Sequence, residues 1–223
     1  IDDESIEKTI SIAKDLGAKV FVHTLNEDFS TQRNFGLEKA KGPARNASQS
    51  DAGGEWVLFV DSDEVVTPQL ASDIKQAVRT VHKGFYIKRK DWLFGRWLAH
   101  GETGNMKLLR LGRIDVRKWE QPVHEEWKIA GNVGTLAHPL LHYPHRNVAQ
   151  FLDEINRYTG MYAQYLHSQG IKEPAWQIIG KPAFKFLLNY IWRLGFLDGT
   201  AGMVYAFMMS FHSFLVRGKL RKL

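Results

Sequence analysis

The first half of the chain alternates amphipathic segments with short apolar runs. Apolar side chains recur at helical spacing in residues 4–16, and Gly17 follows as a stop signal. Residues 18–23, AKVFVH, predict a strand, and residues 30–42, STQRNFGLEKAKG, predict a short helix. Strands that alternate with helices predict an α/β fold with a mainly parallel sheet covered on both faces.

The next element ends in acids. In EWVLFVDSDEVVTPQL, residues 55–70, the run WVLFV is typical of a central parallel strand. Thr67 suits a helix N-cap and Pro68 the first helical position, so a helix should begin there. After Gly84 the pattern favours shorter strands and hairpins, followed by a helix over residues 147–168.

Composition and charge add two constraints. With 44% apolar residues the chain can bury a core, and the absence of cysteine excludes disulfides and thiolate metal sites. The net charge of +6 is carried by residues 176–223, which hold seven Lys or Arg and one acid, Asp198. Because these residues are also strongly apolar, they favour an anionic membrane surface as partner over nucleic acid.

Within this tail, residues 199–216 form an 18-residue run without Lys, Arg, Asp or Glu. That length is at the lower limit for crossing a bilayer. The run contains polar residues and is followed at once by basic ones, so helices that lie in the membrane interface are the preferred interpretation. A spanning helix and a buried core helix are the alternatives.

The strand that ends in Asp61-Ser62-Asp63 predicts a ligand site. In open α/β sheets, ligands bind beyond the carboxyl ends of the strands. Two carboxylates one residue apart can both face a hard divalent cation, and Mg²⁺ or Mn²⁺ prefers such oxygen ligands. An acidic loop that only stabilises the next helix N-terminus is the alternative.

Seven segments, in order, resemble family 2 glycosyltransferases of the GT-A (nucleotide-diphospho-sugar transferase) fold. They are IDDES, AKVFVHTLNEDFSTQRNFGLEKAKG, WVLFVDSDEVVTPQL, GFYIKRKDWLFGRWLAHGETGNMKLLRLGR, VHEEW, LLHYPHRN and FLDG. The likeness is strongest to the bacterial branch with lipopolysaccharide-core β-1,4-glucosyltransferases. It implies an inverting, metal-dependent transfer from a nucleotide-sugar, a UDP-sugar first among them, to a lipid-linked or lipopolysaccharide-core acceptor. It also implies a peripheral location on the cytoplasmic face of the inner membrane.

The resemblance assigns roles to individual residues. Asp61 and Asp63 match the Asp-x-Asp motif that holds Mg²⁺ or Mn²⁺, with Asp63 the direct ligand, and His142 matches a late histidine of the metal shell. The expected donor-binding residues are Asp2, Asp3, Arg33, Asp61, Ser62, His124 and Arg110.

An inverting transfer also needs a base for the acceptor hydroxyl. VHEEW offers Glu125 and Glu126, of which Glu125 is the preferred candidate, and Glu102 and Asp91 are held in reserve.

The resemblance also implies a division of the chain. Residues 1–146 are expected to form the GT-A catalytic domain, and residues 147–223 a helical, basic, membrane-associating segment. Family members carry one more strand and helix ahead of IDDES, so the catalytic domain is expected to lack these two elements. Residues 43–54, rich in Pro, Ser, Asn and Gly, predict an exposed loop inserted before the strand.

Two functions of other classes remain open from the residues alone. The histidines at 124, 138, 142 and 145 suggest a zinc hydrolase, but Lys128 stands where a His-Glu-x-x-His motif needs its second histidine. A non-catalytic module that binds a membrane surface would need only the tail.

Overall fold

This computed structural model describes residues 1–5, 8–41, 55–115, 118–145 and 147–223. These residues form six α-helices: α1 (Thr9–Asp15), α2 (Phe29–Lys41), α3 (Pro68–Ala77), α4 (Val148–Ser168), α5 (Gln177–Leu187) and α6 (Gly199–Leu220). The same described residues form nine strands: β1 (Trp56–Leu58), β2 (Glu64–Val65), β3 (Gly84–Leu93), β4 (Arg96–Trp97), β5 (Lys107–Arg113), β6 (Trp119–Glu120), β7 (Glu126–Trp127), β8 (Val133–Thr135) and β9 (Leu140–His142). The predicted loop at residues 43–54 lies outside the described residues.

The α/β class is confirmed, but the described sheet is mixed rather than mainly parallel. Its main path runs β1-β5-β3-β9-β2, with β4 and β8 also paired to β3. Among the pairings of the nine described strands, those of β3 with β8 and with β9 are parallel and the rest are antiparallel. The physical reason is that β3 returns through hairpin-like connections to β4 and β5, which forces antiparallel pairing. The run WVLFV forms β1 at one end of this described path, antiparallel to β5.

Local signals in the sequence place several element ends correctly. The Thr67 side chain accepts a hydrogen bond from the Leu70 amide at 3.1 Å, and α3 begins at Pro68. Asn147 caps α4 in the same way. The predicted strand at residues 18–23 is reduced to a single bridge between Asp2 and Val22, flanked by backbone hydrogen bonds.

The core has two main parts. Seven buried residues lie between α3 and the sheet: Leu70, Ala77, Phe85, Ile87, Leu111, Leu136 and Leu140. A second buried cluster joins the far end of β3 to α4 and α6: Leu93, Leu98, Phe151, Ile155, Ala201 and Met208. The C-terminal helices therefore pack directly on the sheet-bearing half, because both contribute side chains to this second cluster.

Polar contacts also fasten the C-terminal helices to the loop after β4. The buried Asp198 carboxylate accepts hydrogen bonds from the amides of Ala99 and His100, at 3.0 and 2.8 Å. The Gly101 amide donates to the Arg193 carbonyl oxygen at 2.9 Å. We call these three hydrogen bonds together the Asp198 latch. They hold residues 99–101 beside the start of α6.

Among the described residues, one helical stretch, Gly195–Leu220, is long and apolar enough by length and composition to cross a membrane. A third of its most apolar window is buried against the rest of the protein. Several of its other apolar side chains are exposed, among them Met203 and Phe207.

Candidate active site

A large open cleft of about 1640 Å³ lies between the ends of the sheet strands and the C-terminal helices. One side is formed by α2, the turn after β1, and residues around the β6–β7 hairpin. The opposite side is formed by one face each of α4 and α6. The acids predicted at the strand end lie in this cleft, as expected for an α/β fold.

Asp61 is held by two arginines. Arg33 of α2 approaches its carboxylate at 3.0 Å, and Arg110 of β5 approaches at 2.6 Å. Burial opposes the charge on Asp61, but the two guanidinium groups outweigh it and lower its pKa. Arg110 is buried, and its Nη1 has no hydrogen-bond partner among the described residues. Two cations therefore meet at the base of the cleft around one ionised carboxylate.

The turn that carries these acids is closed by Glu64. The Asp61 amide donates to Glu64 Oε2 at 2.9 Å, and the Glu64 amide donates to the Asp61 carbonyl at 3.0 Å. Burial raises the pKa of Glu64. Glu64 belongs to the sequence DSDE, and its supporting role was not predicted from the sequence.

Asp63 pairs with His142 because of the strand register. β9 lies between β3 and β2, so His142 stands opposite Asp91 on one side and Glu64 on the other. Its Nε2 lies 3.2 Å from Asp63 Oδ2, and its Nδ1 lies 2.9 Å from Asp91 Oδ1. Burial opposes the proton on His142, but these two carboxylates outweigh it and raise its pKa. Arg89 completes the chain with a 2.9 Å contact to Asp91.

The predicted metal ligands fit Mg²⁺ or Mn²⁺ in part. Two neighbouring ligands of an octahedral ion, each at about 2.1 Å, are about 3 Å apart, which the Asp63–His142 separation of 3.2 Å matches. The Asp91 carboxylate behind His142 is the support that metal-binding histidines usually have. Asp61 is engaged by two arginines instead, so Asp63 and His142 are the residues that would hold an ion. In the described part of the chain, no group of three or more such side chains is arranged to hold a metal.

Glu125 is brought to the same place by the β6–β7 hairpin. The stacked rings of Trp119 and Trp127 hold the hairpin, with centroids 5.3 Å apart. The Asn34 side chain of α2 makes two hydrogen bonds with the Trp119 backbone: it accepts one from the amide at 2.8 Å and donates one to the carbonyl oxygen at 3.0 Å. Arg33, the neighbour of Asn34, then reaches Glu125 at 2.7 Å. This role of Asn34 was not predicted, although Asn34 directly follows Arg33 in the segment STQRNFGLEKAKG.

His124 holds an unusual backbone conformation with φ of 57°, which is rare outside glycine. Its ring lies edge-on to Tyr162 at 4.8 Å and 6.0 Å from the ring of His212. Burial lowers the pKa of His124, and burial with His124 nearby lowers that of His212 to about 3. Both imidazoles are therefore neutral at physiological pH.

Other cleft residues come from α4 and the loop before it, and sequence reasoning missed them. Glu154, Tyr158 and Tyr162 are spaced by four and line one helix face. Glu154 Oε2 lies 3.1 Å from His145 Nδ1 without forming a hydrogen bond among the described residues, and burial lowers the pKa of His145 to about 4. The four-residue spacing of these side chains in the sequence shows that they share one helix face. It does not distinguish a face that lines a cleft from a face that packs in a core.

Not every residue predicted for the site is free to act in the cleft, because some lie outside it and others contact neighbouring side chains. Asp3 lines the cleft, whereas Asp2 does not; its carboxylate accepts a hydrogen bond from the Ser5 amide. Ser62 lines the cleft beside Asp63. The reserve base Glu102 contacts Asn189 and Lys185, each at 3.2 Å.

The histidines behind the zinc-hydrolase alternative are divided among different contacts. His138 pairs with Asp73 and does not line the cleft, while His124, His142 and His145 do. His142 is placed by Asp63 and Asp91, and His145 lies beside Glu154. The described residues therefore do not gather these four histidines around one centre.

Comparison with known proteins agrees with this geometry. The sheet, helices and strand-end cleft are those of a GT-A fold with an added C-terminal helix. Residues 1–120 match the sequence profile described as Glycosyl transferase family 2. The chain therefore belongs to glycosyl transferase family 2, and its activity is glycosyl transfer.

Three rickettsial proteins described as uncharacterized glycosyltransferases are similar to this chain. An "Uncharacterized glycosyltransferase" of Rickettsia bellii is 25% identical over 237 residues, covering 100% of this chain and 76% of the relative. Relatives from Rickettsia typhi and Rickettsia felis are 23% and 22% identical over 237 and 236 residues. Both matches cover 100% of this chain, with 77% and 79% of the relatives covered. The similarity therefore includes the C-terminal helices as well as residues 1–120.

Proposed function

We propose that this enzyme transfers a sugar, with inversion, from a nucleoside-diphosphate donor to a lipid-linked or lipopolysaccharide-core acceptor. A UDP-sugar is the first donor to test, and lipopolysaccharide-core β-1,4-glucosyltransferases are the proposed functional relatives. The observation that carries the proposal is the contact of Arg33 with both Asp61 and Glu125 in one cleft. It unites an anion-binding cation, the strand-end acids and a carboxylate that can act as base.

On the donor side, Arg33 and Arg110 are the proposed partners of the diphosphate. Guanidinium groups suit phosphate oxygens because they offer paired N–H donors. Asp63 and His142 are the proposed residues that would hold Mg²⁺ or Mn²⁺, and a bound ion would supply positive charge to stabilise the diphosphate leaving group. Asp3, which lines the cleft and accepts a hydrogen bond from the Leu25 amide at 2.8 Å, is the proposed contact to the nucleoside.

On the acceptor side, Glu125 is the proposed general base. Its side chain is about 16% exposed and faces the cleft, so an acceptor hydroxyl can reach it. The adjacent residue His124 contacts the rings of Tyr162 and His212, and all three rings line the same cleft. Neutral imidazoles can donate and accept hydrogen bonds with sugar hydroxyls, which supports an acceptor subsite between Glu125 and α6.

The proposed location is the cytoplasmic face of the inner membrane, with the C-terminal helices lying on the surface. Large apolar side chains are exposed along this segment, including Trp176, Ile179, Phe184, Trp192 and Phe207. Together they make an apolar surface that a lipid interface would cover. Because α6 also lines the cleft, that placement would bring a lipid-linked acceptor close to Glu125.

The basic residues of the tail contribute less than their number suggests. Lys181 and Arg217 both pair with Glu173, and Lys185 pairs with Glu102. Because these three basic side chains are paired with carboxylates, they attract anionic lipids less strongly than unpaired ones would. The exposed aromatic and aliphatic groups are therefore the main proposed source of membrane affinity, with Arg221 and Lys222 adding charge at the exposed end.

The test is a screen of nucleotide-sugars with lipid-linked and core-oligosaccharide acceptors, comparing the native protein with Asp63→Ala. Transfer should require Mg²⁺ or Mn²⁺ and should be lost in Asp63→Ala, while Asp15→Ala, an exposed acid on α1, should keep it. Full activity of Asp63→Ala in a chelator-treated buffer would contradict the metal role. Failure of every donor to react with either acceptor class would contradict the proposed substrates.

A further inference from the structure

Arg33 serves two carboxylates that belong to different parts of the fold. Its Nη2 lies 3.0 Å from Asp61 Oδ1 and 2.7 Å from Glu125 Oε1. Its Nε donates to the same Glu125 oxygen at 2.8 Å. The predicted base is therefore held by two adjacent N–H groups of a residue proposed to bind the donor.

The guanidinium group of Arg33 is fixed in place from the sides. Its Cζ lies 4.9 Å from the centre of the Trp119 ring and 5.9 Å from that of Phe59. The neighbouring Asn34 is bonded to the Trp119 backbone. Glu125, by contrast, lies in the loop between two short strands and follows the strained His124. A rearrangement at this contact would therefore move Glu125 rather than Arg33.

The charges at this point are balanced by the protein itself. Arg33 contacts the carboxylates of both Asp61 and Glu125, and Arg110 contacts the carboxylate of Asp61. A diphosphate that enters this group competes with a carboxylate for the same N–H donors. The two donors that hold Glu125 are an adjacent pair of the kind that binds a phosphate in bidentate fashion.

From this geometry we infer that Glu125 occupies the diphosphate position on Arg33 in the donor-free enzyme, and that the donor displaces it. Arg33 is then a positioning residue for the base: it holds Glu125 until a diphosphate takes over its N–H groups. The released carboxylate is free to accept the acceptor proton only when a donor is bound. This inference rests on the proposed roles of Arg33 and Glu125.

The test measures binding of inorganic pyrophosphate to the full chain by calorimetry at constant ionic strength. Glu125→Gln removes the competing charge and should bind pyrophosphate about 5-fold more tightly, equivalent to a competing ion pair of about 1 kcal/mol. Glu126→Gln is the matched control, since this exposed neighbour has no contact with Arg33 among the described residues, and its affinity should change less than about 2-fold.

A second pair of variants isolates the role of Arg33. Arg33→Gln should weaken pyrophosphate binding, and adding Glu125→Gln on that background should give no further tightening. Unchanged or weaker binding by Glu125→Gln, with binding lost in Arg33→Gln, would overturn the displacement and leave the proposed donor site intact. Unchanged binding by Arg33→Gln would overturn both. If Arg33→Gln does not fold, the Glu125→Gln and Glu126→Gln comparison still decides the displacement.

Discussion

The two sides of the cleft are stabilised by different interactions. On the sheet side, charged pairs organise the site: Arg33 and Arg110 on Asp61, and Asp63 and Asp91 on His142. On the helical side, apolar packing dominates, with α4 and α6 joined through the second core cluster. A side chain on the first side is therefore expected to matter for turnover and one on the second for stability.

The contrast follows from what each side must do. Charged groups that meet a diphosphate have to be present in the unliganded protein, and neutralising them in pairs is the way to keep them buried. The helical side has no such requirement where it packs, so burial of apolar area can stabilise it. The Asp198 latch is an exception, because a buried carboxylate fastens the helical side to the loop after β4.

The largest expected effect is on the sheet side. Glu125→Gln should lower turnover at least ~100-fold, the usual scale for loss of a general base, with thermal stability close to that of the native protein. Steady-state transfer assays and thermal unfolding measure the two quantities. A ~100-fold loss of turnover in Glu126→Gln but not in Glu125→Gln would assign the role of base to Glu126. A large loss of thermal stability in Glu125→Gln would contradict the expectation that side chains on the sheet side matter for turnover rather than for stability.

On the helical side, the tightest contact is at Gly202 in the first turns of α6. A Cβ there would lie 2.0 Å from the carbonyl oxygen of Gly195. Gly202→Ala should therefore destabilise the protein by roughly 1–3 kcal/mol, the usual cost of overpacking, measured by denaturant unfolding. Gly218→Ala on the same helix meets nothing within 4 Å and should instead stabilise by up to about 1 kcal/mol. Equal effects of the two changes would show that the packing of α6 on Gly195 is not tight.

The smallest effect is expected at the outer surface of the helical side, where Trp192 and Phe207 are 65% and 61% exposed. If these helices lie on a membrane, replacing both with Ser should weaken binding to anionic vesicles about tenfold, equivalent to about 1.4 kcal/mol. This expects only part of each side chain to enter the interface, since full burial of one large apolar side chain contributes roughly 1.5–3 kcal/mol. Val81→Ser, at an apolar residue 85% exposed just beyond α3, is the control and should bind as the native protein does. Flotation at low and high salt measures the change.

Three other flotation results would each change the interpretation of the tail. Binding of the native protein that resists both salt and carbonate would indicate a spanning helix. No binding would assign the exposed apolar surface to another partner. Weaker binding in the Val81→Ser control would show that the affinity does not depend on the C-terminal helices.

Much of the fold was readable from short stretches of sequence. The cap residues Thr67 and Asn147 placed the starts of α3 and α4, and Gly17 lies just beyond the end of α1 with φ of 84°. Strand direction was not readable in this way. The run WVLFV has the composition of a central parallel strand, yet β1 pairs antiparallel with β5, because composition reports burial and not the direction of a neighbour.

The candidate site likewise has features that short stretches of sequence predict and features that they do not. That Asp61 and Asp63 end a strand, and so lie where ligands bind in α/β folds, follows from local sequence. That Asp91 supports His142 depends on the register of β9 with β3, which brings together residues 51 positions apart. Sequence reasoning held Asp91 only as a reserve base for this reason.

By itself, the sequence determined the approximate positions of α1 to α4, the turn of acids after an apolar strand, and the apolar and basic character of residues 176–223. Those features depend on neighbours within a few residues, and local sterics and capping are sufficient to specify them. Only the tertiary structure decided that Arg33 meets Glu125 across 92 residues and that Asp198 meets His100 across 98. Such pairs depend on how the whole chain packs around its core, which no local pattern records.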